Sequence, residues 1–408
     1  MRFSCVGADM KRMSEPMLIT LLSLLVGTMP ICTDLYLPAL PTLKVDLGAT
    51  MAQAQLTLTG MLLAFGVSQL FWGPLSDRWG RRPVLLTGLS AFTLAGAFCV
   101  MAPSIEQLIL WRTIQGAAMG SVVMCARAIV RDGFSPAEGA RLMSKAFTGL
   151  GVILCLSAPL GGWLAAYTGW RSALSVLVIY GAATGLLVWG QFRESLHTPD
   201  PRALQWRVLS GNWLRFLANP SFRAYTLLSM CTYGYLFTYL ASSSFVFIHV
   251  MGLTNLQYGL ILLCSTSSYI VGTWMCRRWL ARWGLRKSII LAGGMTLSGG
   301  IALAICAHIP DTGVPGLILP FMLIMLAHGV HQPIGQTGAV GPFPDAAGAA
   351  SAMGGFLMML VAFGCGTWLG HSMDGTVFPM AHGILFWCVA VAWVAWVLIQ
   401  KDKTLDGH

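Results

Sequence analysis

The chain has 408 residues, of which 56% are hydrophobic and only 10% charged, with a formal net charge of +10. That composition excludes an ordinary soluble domain, in which about a quarter of residues are charged, and leaves an integral membrane protein. The positive balance does not mark a nucleic-acid binder, because the basic residues sit in short connectors and build no contiguous stripe; the eleven cysteines, scattered singly with no Cys-x-x-Cys pair, offer no zinc or disulfide framework.

The segment Met1–Pro16 is charged and leads into an apolar stretch without a small-residue cleavage site, which predicts an uncleaved first span rather than a signal peptide. A hydrocarbon core of about 30 Å needs about 20 apolar residues in a helix. Stretches of that order recur at Met17–Leu37, Ala52–Trp72, Val84–Met101, Leu108–Val130, Lys145–Tyr167 and Ser172–Phe192, then at Ala224–Val246, Gln257–Met275, Ser288–Ala307, Leu317–Val340, Ala347–Leu369 and Met380–Ile399. These predict twelve transmembrane helices. With the amino terminus in the cytoplasm, every connector Lys and Arg except Lys44 and Arg171 falls on the cytoplasmic side, a bias that places both termini inside. The polar interval 193–223 is expected to be a cytoplasmic linker between an amino-terminal bundle, residues 1–192, and a carboxy-terminal bundle, residues 224–408. Its Trp206, Trp213, Phe216 and Leu217 interleave with arginines, so it reads either as a solvated connector or as an amphipathic helix on the anionic leaflet.

Asp34, near the outer part of the first span, is the costliest side chain to place in a membrane. It reads as a proton carrier, since a carboxyl group that changes its exposure changes its hold on a proton, or as a helix-end residue before Pro38. Tyr36 beside it is either a cavity hydrogen-bond donor or an interfacial aromatic. Between the second and third spans lies the polar knot Gly73-Pro74-Leu75-Ser76-Asp77-Arg78-Trp79-Gly80-Arg81-Arg82-Pro83. Asp77, Arg78, Arg81 and Arg82, with Arg127, Arg131 and Asp132 near the end of the fourth span, are expected to form a charged latch that gates the inner side. Simple retention of positive charge in the cytoplasm is the plainer role for Arg81 and Arg82.

Arg112 needs a carboxylate, carbonyls or water at its depth, or else snorkels to the surface; Asp34 is the obvious carboxylate at a similar level. The second half carries no Asp, Glu, Lys or Arg deep within a span. Its candidate cavity residues are Tyr233, Tyr235, Tyr239, Tyr269, His328, His331, Gln332 and Gln336. Tyr233, Tyr239, Tyr269, His331 and Gln336, together with Tyr36 and Gln115, form the expected substrate-binding set; helix packing is the alternative for each tyrosine and a satisfied buried ring for His331. A few donors among apolar walls suit a neutral or weakly charged amphiphile. Gly116 with Gly120, Gly181 with Gly185, and Gly366 with Gly370 have the spacing of close helix contacts.

The knot has a weaker copy, Ala281-Arg282-Trp283-Gly284-Leu285-Arg286-Lys287, which aligns Arg282 with Arg78 at an offset of 204 residues, half the chain. A duplication is expected, and two parallel halves with a substrate path between them are a transporter architecture. The chain has no phosphate loop, His-Glu-x-x-His zinc motif or Gly-x-Ser-x-Gly nucleophile elbow, so no enzyme activity, metal or cofactor is expected beyond a proton gradient as energy source.

Gly73–Pro83, and Arg112 with Gln115-Gly116, resemble loop and fourth-span signatures of the major facilitator superfamily. Asp34-Leu35-Tyr36-Leu37-Pro38-Ala39-Leu40-Pro41, Gly73–Arg78, Val130-Arg131-Asp132 and Phe343–Ala352 are similar to segments of its Bcr/CflA drug-resistance exporters. The resemblance implies an all-α membrane protein of twelve helices in two pseudo-symmetric six-helix bundles. It also implies a monomer of the bacterial inner membrane that exports small compounds such as phenicols, bicyclomycin or sulfonamides in exchange for protons, with the Asp34 position as coupling acid and Arg112 tuning it. Ala158-Pro159-Leu160-Gly161-Gly162 departs from the fifth-span exporter signature, with Ala158 in place of a glycine and one residue missing before the paired glycines. Export or proton-coupled import of a natural metabolite such as a nucleoside is the alternative.

Overall fold

A computed structural model describes residues 13–401 apart from 135, 197–198, 200–203, 311 and 344–345. Most of the leader therefore lies outside the described residues. The described chain is helical throughout: α1 (Glu15–Asp34), α2 (Leu40–Asp46), α3 (Met51–Trp79), α4 (Arg81–Met101), α5 (Ile105–Gly133), α6 (Pro136–Tyr167) and α7 (Trp170–Gln191), followed by α8 (Trp206–Ala218), α9 (Pro220–Ser244), α10 (Asn255–His308), α11 (Gly313–Val340), α12 (Ala347–Ser372) and α13 (Phe378–Trp393). Among the described residues, ten helices are long and apolar enough to cross a membrane. One of them, α10, has 54 residues and reverses at Gly284, whose φ of 72° and ψ of 179° break the helix into two crossings. Helix α9, rich in Tyr, Ser and Thr, is too polar to be counted by apolarity, yet with its continuation Phe245–Val250 it has the length of a span. The expected twelve crossings are all present.

Internal symmetry runs deeper than the repeated knot. Thr50 and Gln53 cap α3 reciprocally, with Gln53 N donating to Thr50 Oγ1 at 3.2 Å and Thr50 N donating to Gln53 Oε1 at 2.9 Å. Thr254 and Gln257 cap α10 with the same two bonds at the same distances, 204 residues on. Left-handed glycines repeat at that offset too: Gly48 with Gly252, and Gly80 with Gly284. Only a residue without a Cβ adopts such φ values without strain, so each half enters and leaves its second helix by the same backbone device.

Helices α1 and α3–α7 pack on one another, and α9–α13 do likewise; the two groups meet chiefly through α3 against α12 and α6 against α10. Glycine makes these approaches close. A Cβ on Gly370 would press on the Ala52 backbone, and one on Gly259 would press on Ala158 and Pro159. Within the first group, a Cβ on Gly116 of α5 would run into the Met61 carbonyl of α3. Gly116→Val should therefore force α3 and α5 apart at a cost of about 1–3 kcal/mol, read as a lower melting temperature or lost yield of folded protein.

The linker contains a helix. On α8, Trp213 meets Phe71 of α3 edge-on at 6.4 Å, while Phe216 is buried against Phe222 and Phe343 at 5.8 and 4.8 Å, so α8 touches both halves. Trp206, Leu214 and Leu217 remain exposed.

Candidate functional site

The halves close tightly at the end that carries Asp34. Leu35, Tyr36, Leu37, Ala39, Leu40 and Leu43 are wholly buried, as are Val246, Phe247 and Tyr258 opposite them. Gly161 lies against the Leu35 backbone and Gly162 against Asn255, and Gln55 Nε2 donates to the Ala241 carbonyl across the halves. The Ala158–Gly162 segment thus provides the close contact that seals this end, despite its departure from the exporter signature. At the other end the cleft is wetter: Arg127, Arg131, Gln336 and Thr337 are exposed.

Asp34 is the last residue of α1, just past Pro30, and is half-buried. It retains some accessible surface, unlike its neighbours Thr33 and Leu35 on either side. Thr33 Oγ1 donates to its Oδ1 at 3.0 Å. None of the ion pairs among the described residues includes it.

The expected Asp34–Arg112 pair is not formed. Arg112, with no accessible surface, donates through Nη1 to Gln115 Oε1 at 2.8 Å and through Nη2 to the Cys32 carbonyl at 3.2 Å. Its guanidinium lies 4.4 Å from the Tyr36 ring centre, and Tyr36 Oη in turn lies 2.7 Å from Thr57 Oγ1. The reason is helical phase: Cys32 and Asp34 are two residues apart, so their side chains point about 200° apart. Cys32 is buried on the Arg112 side, while Asp34 is only half-buried. Arg112 therefore bonds the last turn of α1 at Cys32 and not the Asp34 carboxylate. Tyr36 and Gln115, expected to bind substrate, are sealed inside the first half as its supports.

At the opposite end Arg81 is 1% exposed and held by two carboxylates, Asp77 and Asp132, each at 2.7 Å. Its Nη1 also donates to Ser76 Oγ at 2.6 Å, and Arg131 reaches Asp77 at 3.3 Å and Asp132 at 3.7 Å. Glu194 completes the cluster by accepting from the backbone N–H groups of Arg81 and Arg82 at 2.7 and 3.0 Å, at the start of α4, where the helix leaves such groups unpaired. Arg82 donates to the carbonyls of Phe192 and Trp189, and Arg78 points outward. The expected charged cluster exists, but its ion-pair partners all lie in the first half, with Glu194 added from the start of the linker. Arg127, expected in it, instead crosses to Ser351 of α12.

In the second half, Tyr239 stacks on Phe321 at 3.6 Å and is buried, and His331 is wholly buried rather than open to the cleft. Tyr235 Oη lies 2.9 Å from His328 Nδ1, and Tyr269 lies beside that ring at 5.5 Å. Tyr233 is buried, whereas Gln336 is exposed, so the expected substrate-binding residues do not line one surface. Sequence reasoning missed Tyr258, Gln55, Glu194 and Ser351; of these only Glu194, an acid directly after a span and opposite the basic knot, carried a signal. Pro344 and Asp345 of the Phe343–Ala352 match lie outside the described residues. Among the described residues, no group of three or more His, Cys, Asp or Glu is placed to hold a metal ion.

The family model described as Major Facilitator Superfamily matches residues 17–366. The chain is 29% identical over 353 residues to the Multidrug resistance protein D of Escherichia coli, covering 85% of this chain and 87% of that protein. It is 28% identical over 333 residues to a Chloramphenicol resistance protein of Pseudomonas aeruginosa, covering 80% and 78%. In fold it is similar to a D-xylose-proton symporter, with a TM-score of 0.72 at 16% identity over 94% of this chain and 98% of that one.

Proposed function

The chain belongs to the Major Facilitator Superfamily, as a multi-pass membrane transporter rather than an enzyme, and from that premise we propose that it expels small amphiphilic compounds in exchange for protons. The observation that carries this reading is Asp34: a half-buried carboxyl group at the sealed end of the halves, with no cation bonded to it among the described residues. An unpaired intramembrane acid is a natural proton carrier, because a change in its exposure changes the cost of its charge. Arg112 is the positioning residue, through the Cys32 carbonyl. The Asp77–Arg81–Asp132–Arg131 cluster stiffens the other end of the first half so that it rocks as a unit and gates that side.

The distribution of Lys and Arg supports cytoplasmic termini, so the sealed Asp34 end faces outward and the cleft admits compounds from the cytoplasm of a bacterial cell. The names of the relatives support drugs as substrates, with phenicols, bicyclomycin and sulfonamides as the first compounds to try. A thermal-stability screen of the purified protein tests the class. Phenicols or sulfonamides should raise the melting temperature in a concentration-dependent way, because a ligand that binds only the folded state stabilises it. Stabilisation by nucleosides or amino acids alone would turn the reading toward metabolite transport.

A further inference from the structure

Arg127 lies on α5 fifteen residues beyond Arg112, about 22 Å along the helix at about 1.5 Å per residue. It is exposed, at the end of the molecule where Arg131 is exposed as well. Its Nη1 donates to Ser351 Oγ at 2.6 Å, across from one half to the other. One turn on, Arg131 also faces α12: a Cβ on Gly348 would stand 3.1 Å from its Nη1. The two arginines differ in how their charge is met. Arg131 has Asp77 and Asp132, whereas among the described residues no carboxylate lies within ion-pair distance of Arg127. A hydroxyl satisfies one N–H and leaves a full positive charge between the two halves, where charged groups are ordinarily paired.

The other intramembrane arginine is unavailable to a ligand, because Arg112 is sealed against Cys32, Gln115 and Tyr36. Among the described residues Arg127 is thus the uncompensated cation that the cleft offers to a ligand, with Gln336 and Thr337 exposed as well. Asp34, at the level of Arg112, is too distant for one small molecule to touch both charges. Building on the reading of the cleft as a substrate path, we propose that Arg127 is a specificity-determining residue that rests on Ser351 when the cleft is empty and exchanges that hydroxyl for a singly anionic head group of an aromatic amphiphile. A single guanidinium selects monoanions, since a second charge on the ligand would find only Arg131, whose charge Asp77 and Asp132 already meet. Selection occurs on the way in, separately from proton exchange at Asp34.

Two fluorescent probes that differ only by a sulfonate test this: 8-anilinonaphthalene-1-sulfonate and uncharged N-phenyl-1-naphthylamine. Saturable binding of each is measured to the full chain in lipid nanodiscs, with empty nanodiscs as background. Arg127→Gln should weaken the sulfonate about 10-fold or more, the loss of a charge-assisted hydrogen bond, and change the uncharged probe less than about 3-fold. Arg127→Lys should retain most of the preference, and Ser351→Ala should keep or tighten sulfonate binding by releasing the guanidinium. Equal weakening of both probes by Arg127→Gln would make the residue a structural tie and overturn the assignment, as would an unchanged sulfonate affinity or no saturable sulfonate binding to the unsubstituted chain. Because binding needs no gradient, these outcomes are separate from failure of the proton-exchange reading, which would show as absent proton-driven export with the sulfonate preference intact.

Discussion

Asp34→Asn should abolish accumulation of substrate against its gradient while changing equilibrium binding by less than about 3-fold. The amide keeps the size of the carboxylate and can still accept the Thr33 hydroxyl bond, so the last turn of α1 has no reason to move. What is lost is titration. A gradient of one pH unit is worth about 1.4 kcal/mol per proton, a tenfold accumulation for one-for-one exchange, and a group that binds no proton conveys none of it. Uptake of labelled chloramphenicol into everted vesicles under an imposed gradient should fall from that ratio to equilibration. Accumulation by the Asn variant at the original ratio would remove Asp34 from the mechanism.

Arg112→Ala has the second large effect, on stability and transport together. It strips partners from the Cys32 carbonyl and Gln115 Oε1 inside the first half and removes the cation from the face of Tyr36. Hydrogen bonds to a charged donor contribute about 1.5–3 kcal/mol each, and a buried acceptor left alone costs about 1–3 kcal/mol, so a fall of several degrees in melting temperature is expected. Arg112→Lys keeps the charge but not the planar fork that reaches Cys32 and Gln115 at once, and should recover only part of the stability. Transport restored fully by lysine would mean that charge alone matters and that positioning of α1 does not.

Much of this architecture was legible in the sequence because lipid simplifies the signal. Apolar length alone locates most spans, and a carboxylate or guanidinium inside one stands out by its cost. Helix α9 falls on the apolar stretch 224–246, although its tyrosines and serines dilute that apolarity. The repeat Gly48-x-Thr50-x-x-Gln53 and Gly252-x-Thr254-x-x-Gln257 was present in the sequence, but is too short to recognise without knowing that both glycines are left-handed and both threonines cap. Partner choice was less legible. Asp34 and Arg112 share a depth, yet hydropathy carries no helical phase, and phase separates them. Arg127 and Arg131 are one turn apart, and only the position of α12 decides that the first crosses to Ser351 while the second stays with Asp77. Tyrosines and histidines of the second half carry the same letters whether they face a cleft or a neighbouring helix, so the expected substrate-binding set mixed buried supports with exposed groups.

Proton-for-substrate exchange through Asp34 is tested most directly in proteoliposomes that contain a pH-sensitive dye, have an acidic interior, and receive chloramphenicol outside. Exchange predicts that the interior becomes more alkaline on addition of the compound, in step with its uptake, and that Asp34→Asn shows neither change. Uptake without a pH change, or uptake with acidification of the interior, would contradict it.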